Sequence, residues 1–524
     1  MADELKFLRA NVIAEPLVDR FCAWLHTVAP VQAAMNLAFL QLPLLESHPQ
    51  SPGSPLAADL APDAYGADAA GDRTAQVRRL AEGIRRDRAG ILRFAAAVAE
   101  GQEILRLNPD GPDLGSLQAK LPGELGGLVE LVHDIDGQAQ MRFLEPLVYA
   151  DPVYDESRQS VRISPRTGTR RPAPLTAPHL ASPPGLELKI PLRHHGLQAL
   201  FRTRVRPAAL GRLREELELG DAQAGLLSRL LTDRPVLPED RHIDGGGRIR
   251  YFGHGCLVLQ TPEAAVMTDP FVGAAGSTAD HFTLDDLPDF VDLVLISHGR
   301  HDRTALGTLL QLRGRIGAVV APRSSRGNIA DPSVGLMLKQ LGFPVIEADD
   351  FDTVPFLGGR VTATPFLSGD GALDIRGRST YWIELAGRRI FTGADSSGAD
   401  PVLHRRIRDH LGAADLAFLA MEHDGATLGA HWQAPLTGPA AEQPGVTRAW
   451  SGPTAEQTAE ATAELGAAEA YVYAAGEEGR PSRAGAAPPG GGTCPGARVE
   501  QFLTCCAGRG VRARQLAGRR EWRW

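Results

Sequence analysis

The sequence predicts an α/β protein whose C-terminal part is a layered αββα sandwich, preceded by a mixed α+β N-terminal domain. Three observations lead there. A chain of 524 residues is too long for one ordinary core and should divide. The run Asp244-Gly245-Gly246-Gly247 marks a change of rhythm. Beyond it, short strand-like and helix-like segments alternate through most of the chain, the pattern of a layered α/β sandwich. The expected division is therefore 1–245 and 246–524.

In the first part, Asp3 is placed to cap an opening helix carrying Leu5, Leu8, Val12 and Ile13. A second helical pattern runs from Thr74 through Val77, Leu80, Ile84, Ile91, Phe94 and Val98. Between them, Ser51-Pro52-Gly53-Ser54-Pro55 and the Ala/Asp-rich run to Asp72 read as a loop. The start is thus mainly helical. From Leu128 the text is mixed, with strand-like pieces near Met141 to Tyr149 and Leu186 to Ile190, a Pro-rich connector at Arg171 to Pro184, and a charged helix at Leu210 to Leu219.

In the second part, Arg248 to Gln260, Ala265 to Asp269, Val291 to Ser297 and Ile316 to Ala321 read as strands, with a helix at Thr304 to Leu312. Thr380 to Leu385 and Arg388 to Thr392 flank Ala386-Gly387 as a hairpin. Leu416 to Met421, a helix capped at Thr454, Ala470 to Ala474, a Gly/Pro/Ala-rich loop at Arg480 to Pro495 and a final helix at Ala497 to Ala507 complete the series.

Composition narrows the function classes. Lys plus Arg total 55 against 63 Asp plus Glu, a formal net charge of −8, so no basic field gathers nucleic acid. The longest apolar stretches, such as Val291 to Ile296, fall far short of the ~20 residues of a membrane span. Met1-Ala2-Asp3-Glu4 opens acidic, unlike a signal peptide. The five cysteines, Cys22, Cys256, Cys494, Cys505 and Cys506, form no C-x-x-C pair and read as reduced thiols. A soluble cytoplasmic protein is expected.

The chemistry-bearing segment is Leu295-Ile296-Ser297-His298-Gly299-Arg300-His301-Asp302-Arg303, where a buried strand delivers potential ligands to a turn before a helix. Two metals held together need imidazoles and carboxylates converging from several strand ends. His298, Asp302 and Asp395, the last in Thr392-Gly393-Ala394-Asp395-Ser396, are candidates for part of such a set. Asp395 could equally brace its own turn. His254 reads as a hydrogen-bonded structural histidine, and His194-His195 as a surface or interdomain contact.

The segment resembles the His-x-His-x-Asp-His signature of the metallo-β-lactamase superfamily, with the Tyr251-Phe252-Gly253-His254 strand and the Thr268-Asp269-Pro270 turn before it. Leu309-Leu310-Gln311-Leu312-Arg313, Asp331-Pro332-Ser333, Gly342-Phe343, Met421-Glu422-His423-Asp424-Gly425 and Tyr471-Val472-Tyr473-Ala474 resemble one branch, the diiron β-hydroxylases that tailor carrier-bound aminoacyl groups in nonribosomal peptide antibiotic pathways of the chloramphenicol type. Glu130-Leu131-Val132 and Glu145-Pro146-Leu147 to Tyr154 extend the likeness into the N-terminal domain. The resemblance implies two non-haem irons, a monooxygenase reaction at the β-carbon, and an aminoacyl carrier domain of a nonribosomal peptide synthetase as partner. A homodimer through the N-terminal domain is a further expectation.

The same resemblance exposes departures. Arg300 stands at the second histidine of the signature and Arg303 at the last. An arginine stays protonated and has no lone pair to give, so neither ligates a cation. His301 sits one residue off register. The family's carboxylate ligand after Pro365-Phe366-Leu367 falls at Gly369, leaving Asp370 one residue late, and no histidine follows His431. His298, Asp302 and Asp395 remain in register, with His301 and Asp370 as weaker metal candidates and Glu422 and Asp424 as candidates to line the pocket. Arg300 and Arg303 are expected to stand in for the metals by pairing with Asp302, Asp395 or Asp370. Three functions follow: a β-hydroxylase or related metal-dependent oxygenase of the diiron type using whichever metal the reduced ligand set still binds, a non-catalytic paralogue without the metals that binds the carrier or serves assembly, and a hydrolase of the superfamily's metal-water type.

Overall fold

The computed structural model describes residues 4–48, 73–109, 113–166, 175, 177–180, 185–235, 238–273, 275, 280–367, 374–396, 400–421, 453–473 and 495–524. The expected cap at Asp3, the loops at 51–72 and 480–494, and most of the connector at 171–184 lie outside these.

The opening segment is not a helix. Leu5–Leu8 and Val12–Val18 are strands. Val12–Val18 pairs antiparallel with Gln159–Pro165, which in turn pairs with Leu186–Leu188. Leu5–Leu8 lies between Ala208–Ala209 and Leu231–Thr232. The spacing of Leu5, Leu8 and Val12 fits a helix by coincidence; the β-branched Val12, Ile13 and Val18 favour an extended chain once a partner strand is supplied.

The second helical pattern appears as two helices, Arg73–Asp87 and Ala89–Arg106. Their apolar faces, Val77, Ile84, Ile91, Phe94 and Val98, bury against the hairpin residues Val129, Met141 and Phe143. Met141 to Tyr149 divides into the strand Ala139–Phe143 and a helix Glu145–Ala150 that begins with proline in its first turn, where a missing N–H costs nothing. The charged helix spans Leu210–Glu216.

From Arg248 two seven-stranded sheets stack face to face. The first runs Val345–Ala348, Ile316–Pro322, Val291–Leu295, Ala265–Thr268, Cys256–Gln260, Arg248–Gly253, Arg520–Arg523. The second runs Thr353–Phe356, Gly359–Thr364, Thr380–Leu385, Arg388–Thr392, Leu416–Ala420, Glu469–Tyr473, Arg512–Gln515. Their inner faces bury Ile249, Leu257, Val266 and Leu295 against Val361, Ile383, Phe418 and Tyr471. Helices Leu306–Leu312 and Val334–Gln340 cover the first sheet, whose outward side chains join their cluster. Pro401–Leu411, Ala455–Glu464 and Pro495–Gly508 cover the second, so the order is αββα.

Val291–Leu295 is parallel to both neighbours, and a central parallel strand covered on both faces is largely apolar; its one polar residue, half-buried Asp292, accepts from the Ala265 amide at 2.8 Å. The hairpin turns at Ala386 and Gly387, with φ of 47° and 76°, as a two-residue turn of that hand requires. Thr454 accepts from the Gln457 amide at 3.2 Å, and the Gln457 side chain accepts from the Thr454 amide at 2.9 Å, a reciprocal cap.

The N-terminal part packs against the sandwich. One continuous cluster joins Val12, Trp24, Leu25, Leu200 and Phe201 to Leu306, Leu309 and Val334 of the sandwich. Buried Arg204 seals it, donating to Gln311 at 2.9 Å and to the Val12 carbonyl and lying 3.3 Å from Asp285. The His194 carbonyl accepts from Arg313 at 2.7 Å, placing that residue at the junction.

Candidate metal centre

The site forms where strands of both sheets end together. Val291–Leu295 delivers Ser297 and His298; Arg300 then caps a one-turn helix, His301–Thr304, which places Asp302 and Arg303 beneath the strand ends. The neighbouring strand Ala265–Thr268 ends at Asp269, and the opposite sheet contributes Asp395 just after Arg388–Thr392. His254 enters from the turn between Arg248–Gly253 and Cys256–Gln260. His254, Asp269, Ala305 and Ala394 adopt positive φ of 52°, 30°, 27° and 43°. Such a concentration of strained backbone marks a site held by its surroundings. Part of that hold is visible: Thr268 Oγ1 donates to the Gly255 carbonyl at 2.8 Å, and Tyr381 of the second sheet donates to the Ile296 carbonyl at 2.6 Å.

Three carboxylates meet two guanidiniums here. Arg300 donates to Asp302 Oδ2 at 2.8 Å and to Asp395 Oδ2 at 3.0 Å. Arg303 donates to Asp395 Oδ1 and lies 3.6 Å from Asp269 Oδ2. His254 Nε2 is 3.1 Å from Asp302 Oδ2, and His298 Nε2 is 3.4 Å from Asp395 Oδ2. Ser297 donates its amide and its hydroxyl to Asp269, each at 2.8 Å, and its hydroxyl is 3.0 Å from His298 Nδ1. All of these side chains are buried, Asp302 and Arg303 with no exposed surface.

Burial pushes the Asp395 carboxyl up, and the guanidiniums of Arg303 and Arg300 more than reverse it, holding the group well below the usual carboxylate range. Asp302 behaves likewise: burial raises it, and Arg300 with the His254 hydrogen bond brings it well below. At Asp269 burial wins over Arg303 and His298, and the group is raised. Burial also raises Tyr473, at the end of Glu469–Tyr473 where the family's late histidine is expected. Ion pairs dominate where a guanidinium is in direct contact; desolvation dominates where it stands off.

The structure brings His298, Asp302, Asp395, Arg300 and Arg303 together. His301 instead sets its ring edge-on to Trp24 at 6.0 Å. Gly369, Asp370, Glu422 and Asp424 lie outside the described residues. His254 and Asp269 belong to the cluster although the sequence pointed to His254 only as structural and to Asp269 only as part of a fold-typical turn. Asp269 was findable, since it ends the strand beside the one carrying His298. Gly255 had no such signal: a Cβ there would fall 1.9 Å from Arg303 Nη1.

An αββα sandwich with acidic and imidazole side chains converging at its strand ends defines the metallo-β-lactamase class. The diiron non-heme β-hydroxylase N-terminal domain matches residues 7–235, and the β-lactamase superfamily domain matches residues 265–473. The 4-amino-L-phenylalanyl-[CmlP-peptidyl-carrier-protein] 3-hydroxylase of Streptomyces venezuelae is 32% identical over 393 residues, covering 73% of this chain and 74% of the relative. The crystal structure of CmlA, a diiron β-hydroxylase from that organism, superposes with a TM-score of 0.87 at 27% identity over 100% of both chains. A mutant of CmlA superposes at 0.85 with 28% identity, covering 99% of this chain and 100% of the other. This chain belongs to the diiron non-heme β-hydroxylase family.

The described residues do not by themselves supply the ligands of that family's iron pair. At two signature positions a nitrogen that cannot donate a lone pair sits within hydrogen-bonding distance of the carboxylate oxygens that would ligate. Asp302 Oδ1 is buried without a hydrogen-bond partner among the described residues, a single acceptor where two metals need many. Among the described residues no group of three or more His, Cys, Asp or Glu is arranged to hold a metal ion. No helix of the described residues is long and apolar enough to cross a membrane.

Proposed function

We propose that this chain recognises an amino acid held as a thioester on a peptidyl carrier protein and serves its β-hydroxylation. What carries the reading is the 32% identity to a hydroxylase of that substrate class, which extends over 73% of this chain. Fold alone would not license it, but the similarity takes in both the N-terminal part and the sandwich. The expected partner is the aminoacyl carrier domain of a nonribosomal peptide synthetase. The expected division at residue 245 and a homodimer through the N-terminal domain, whose Leu107, Ile135 and Leu147 are exposed, belong to the same proposal.

Its part in that reaction has two forms. In one, the chain is itself the oxygenase, with iron held by His298, Asp302 and Asp395 and by residues beyond those described, such as Asp370. In the other, favoured by the pairing of Arg300 and Arg303 with Asp302 and Asp395, it is a non-catalytic member that binds the loaded carrier or helps assemble the system. Hydrolysis through a metal-bound water ranks last, since it needs the same missing ligands.

The test uses the full chain and carrier proteins loaded with a panel of amino acids. Saturable binding of the aminoacyl carrier, tighter than of the unloaded carrier, is expected; no binding to any loaded carrier overturns the reading. Adding iron, reductant and dioxygen and weighing the carrier-bound product separates the two forms. Gain of one oxygen identifies the oxygenase, and unchanged mass with intact binding identifies the non-catalytic member.

A further inference from the structure

We propose that the Arg300–Arg303 pair occupies the place of the metal pair, so that the strand ends close on a metal-free ion-pair core. The inference rests on the proposed function only in taking the family's iron position as its reference. Its own support is local.

Each carboxylate of the cluster already has a cationic or donor partner at contact distance. Asp302 Oδ2 takes Arg300 at 2.8 Å and His254 at 3.1 Å. Asp395 takes Arg300 at 3.0 Å and Arg303, with His298 at 3.4 Å. Asp269 takes both donors of Ser297, with Arg303 at 3.6 Å. A metal ion bound at about 2.0–2.2 Å from either oxygen of Asp395, or from Asp302 Oδ2, would have to displace a guanidinium nitrogen from the same oxygen, and only Asp302 Oδ1 is without such a partner among the described residues. The displaced cation would then sit beside the metal in a medium of low dielectric, where like charges repel strongly.

The surroundings are shaped for the guanidinium. Gly255 leaves the space that Arg303 Nη1 fills, since any Cβ there would overlap it at 1.9 Å. Arg303 has no exposed surface, so admitting an ion in its place would leave its charge without water around it. The cation it supplies is covalently part of the chain, and the fold does not wait for metal as a site of free ligands would.

The experiment is metal analysis with a melting curve on the full chain, expressed with iron and then exposed anaerobically to Fe(II) or to Zn(II). Bound metal below about 0.1 per chain and a melting temperature indifferent to metal or chelator are expected, since a ligand that binds only the folded state must raise it. One or more tightly held ions per chain, with a metal-dependent rise in melting temperature, would overturn the proposal. The double variant Arg300→His, Arg303→His provides the reverse reading. It is expected to acquire metal and a metal-dependent melting temperature; a folded double variant that stays metal-free overturns the claim that the guanidiniums keep metal out. Should that variant not fold, the wild-type measurement decides alone. None of these readouts involves a carrier protein, so failure of carrier binding leaves this inference standing, and the reverse also holds.

Discussion

Arg303 is fully buried, and a guanidinium there needs carboxylates brought to it by the fold. These are Asp395 and Asp269, delivered from two different sheets. Removing one partner of such a buried pair leaves the other charge uncompensated, which costs more than the pair itself contributes. Arg303→Met should therefore lower stability by about 3–5 kcal/mol, seen as a lower urea midpoint at unchanged slope; a loss within error of zero would show that Asp395 is balanced without it. Glu145 makes a second prediction. It accepts from the Ser333 amide at 2.9 Å across the junction of the two halves. Burial pushes its carboxyl up to about 7, with the charges of Asp331 and Glu347 adding to the rise. The folded protein then holds a proton that the unfolded chain releases near pH 4.3. The contribution is fully present below that value and is lost as pH rises through about 7. Urea midpoints should fall between pH 5 and pH 8, and Glu145→Gln should flatten that fall; an unaltered slope would remove Glu145 as its source.

At the scale of elements, local chemistry and distant pairing divide the outcome. The hairpin at Ala386-Gly387 and the helix capped by Thr454 and Gln457 stand where turn and cap residues placed them. Those signals act within a few residues, so the sequence displays them whole. The strands Leu5–Leu8 and Val12–Val18 were misread as a helix because their partners, such as Gln159–Pro165, are remote in sequence and supply the hydrogen bonds that decide. The turn between Arg248–Gly253 and Cys256–Gln260 shows how an element can serve a site. His254 and Gly255 form it, the one meeting Asp302 and the other making room for Arg303. Gly255→Ala should force that guanidinium out of place at a cost of about 1–3 kcal/mol, read from thermal unfolding; a neutral effect would mean that the turn relaxes freely.

In the whole molecule, both sheets are closed by the last residues described. Arg512–Gln515 lies beside Glu469–Tyr473 in the second sheet, and Arg520–Arg523 crosses to the first to pair with Arg248–Gly253. Deleting residues 519–524 would bare the edge of Arg248–Gly253 and uncover buried Arg248. Exposed edges recruit other chains, so the deletion should give aggregation on gel filtration; a monodisperse, equally stable protein would contradict that role. The sequence by itself determined the sandwich, most of its strands, the family resemblance and the two arginines standing where histidines are expected, because periodicity, turn chemistry and motif spacing are written in short stretches. The tertiary structure decided which of the expected carboxylates those arginines meet, Asp302 and Asp395, and added Asp269. Arg300 and Asp395 are 95 residues apart, and a charge finds its compensation through folding, when burial removes water and leaves each carboxylate the nearest cation that the converging strands supply.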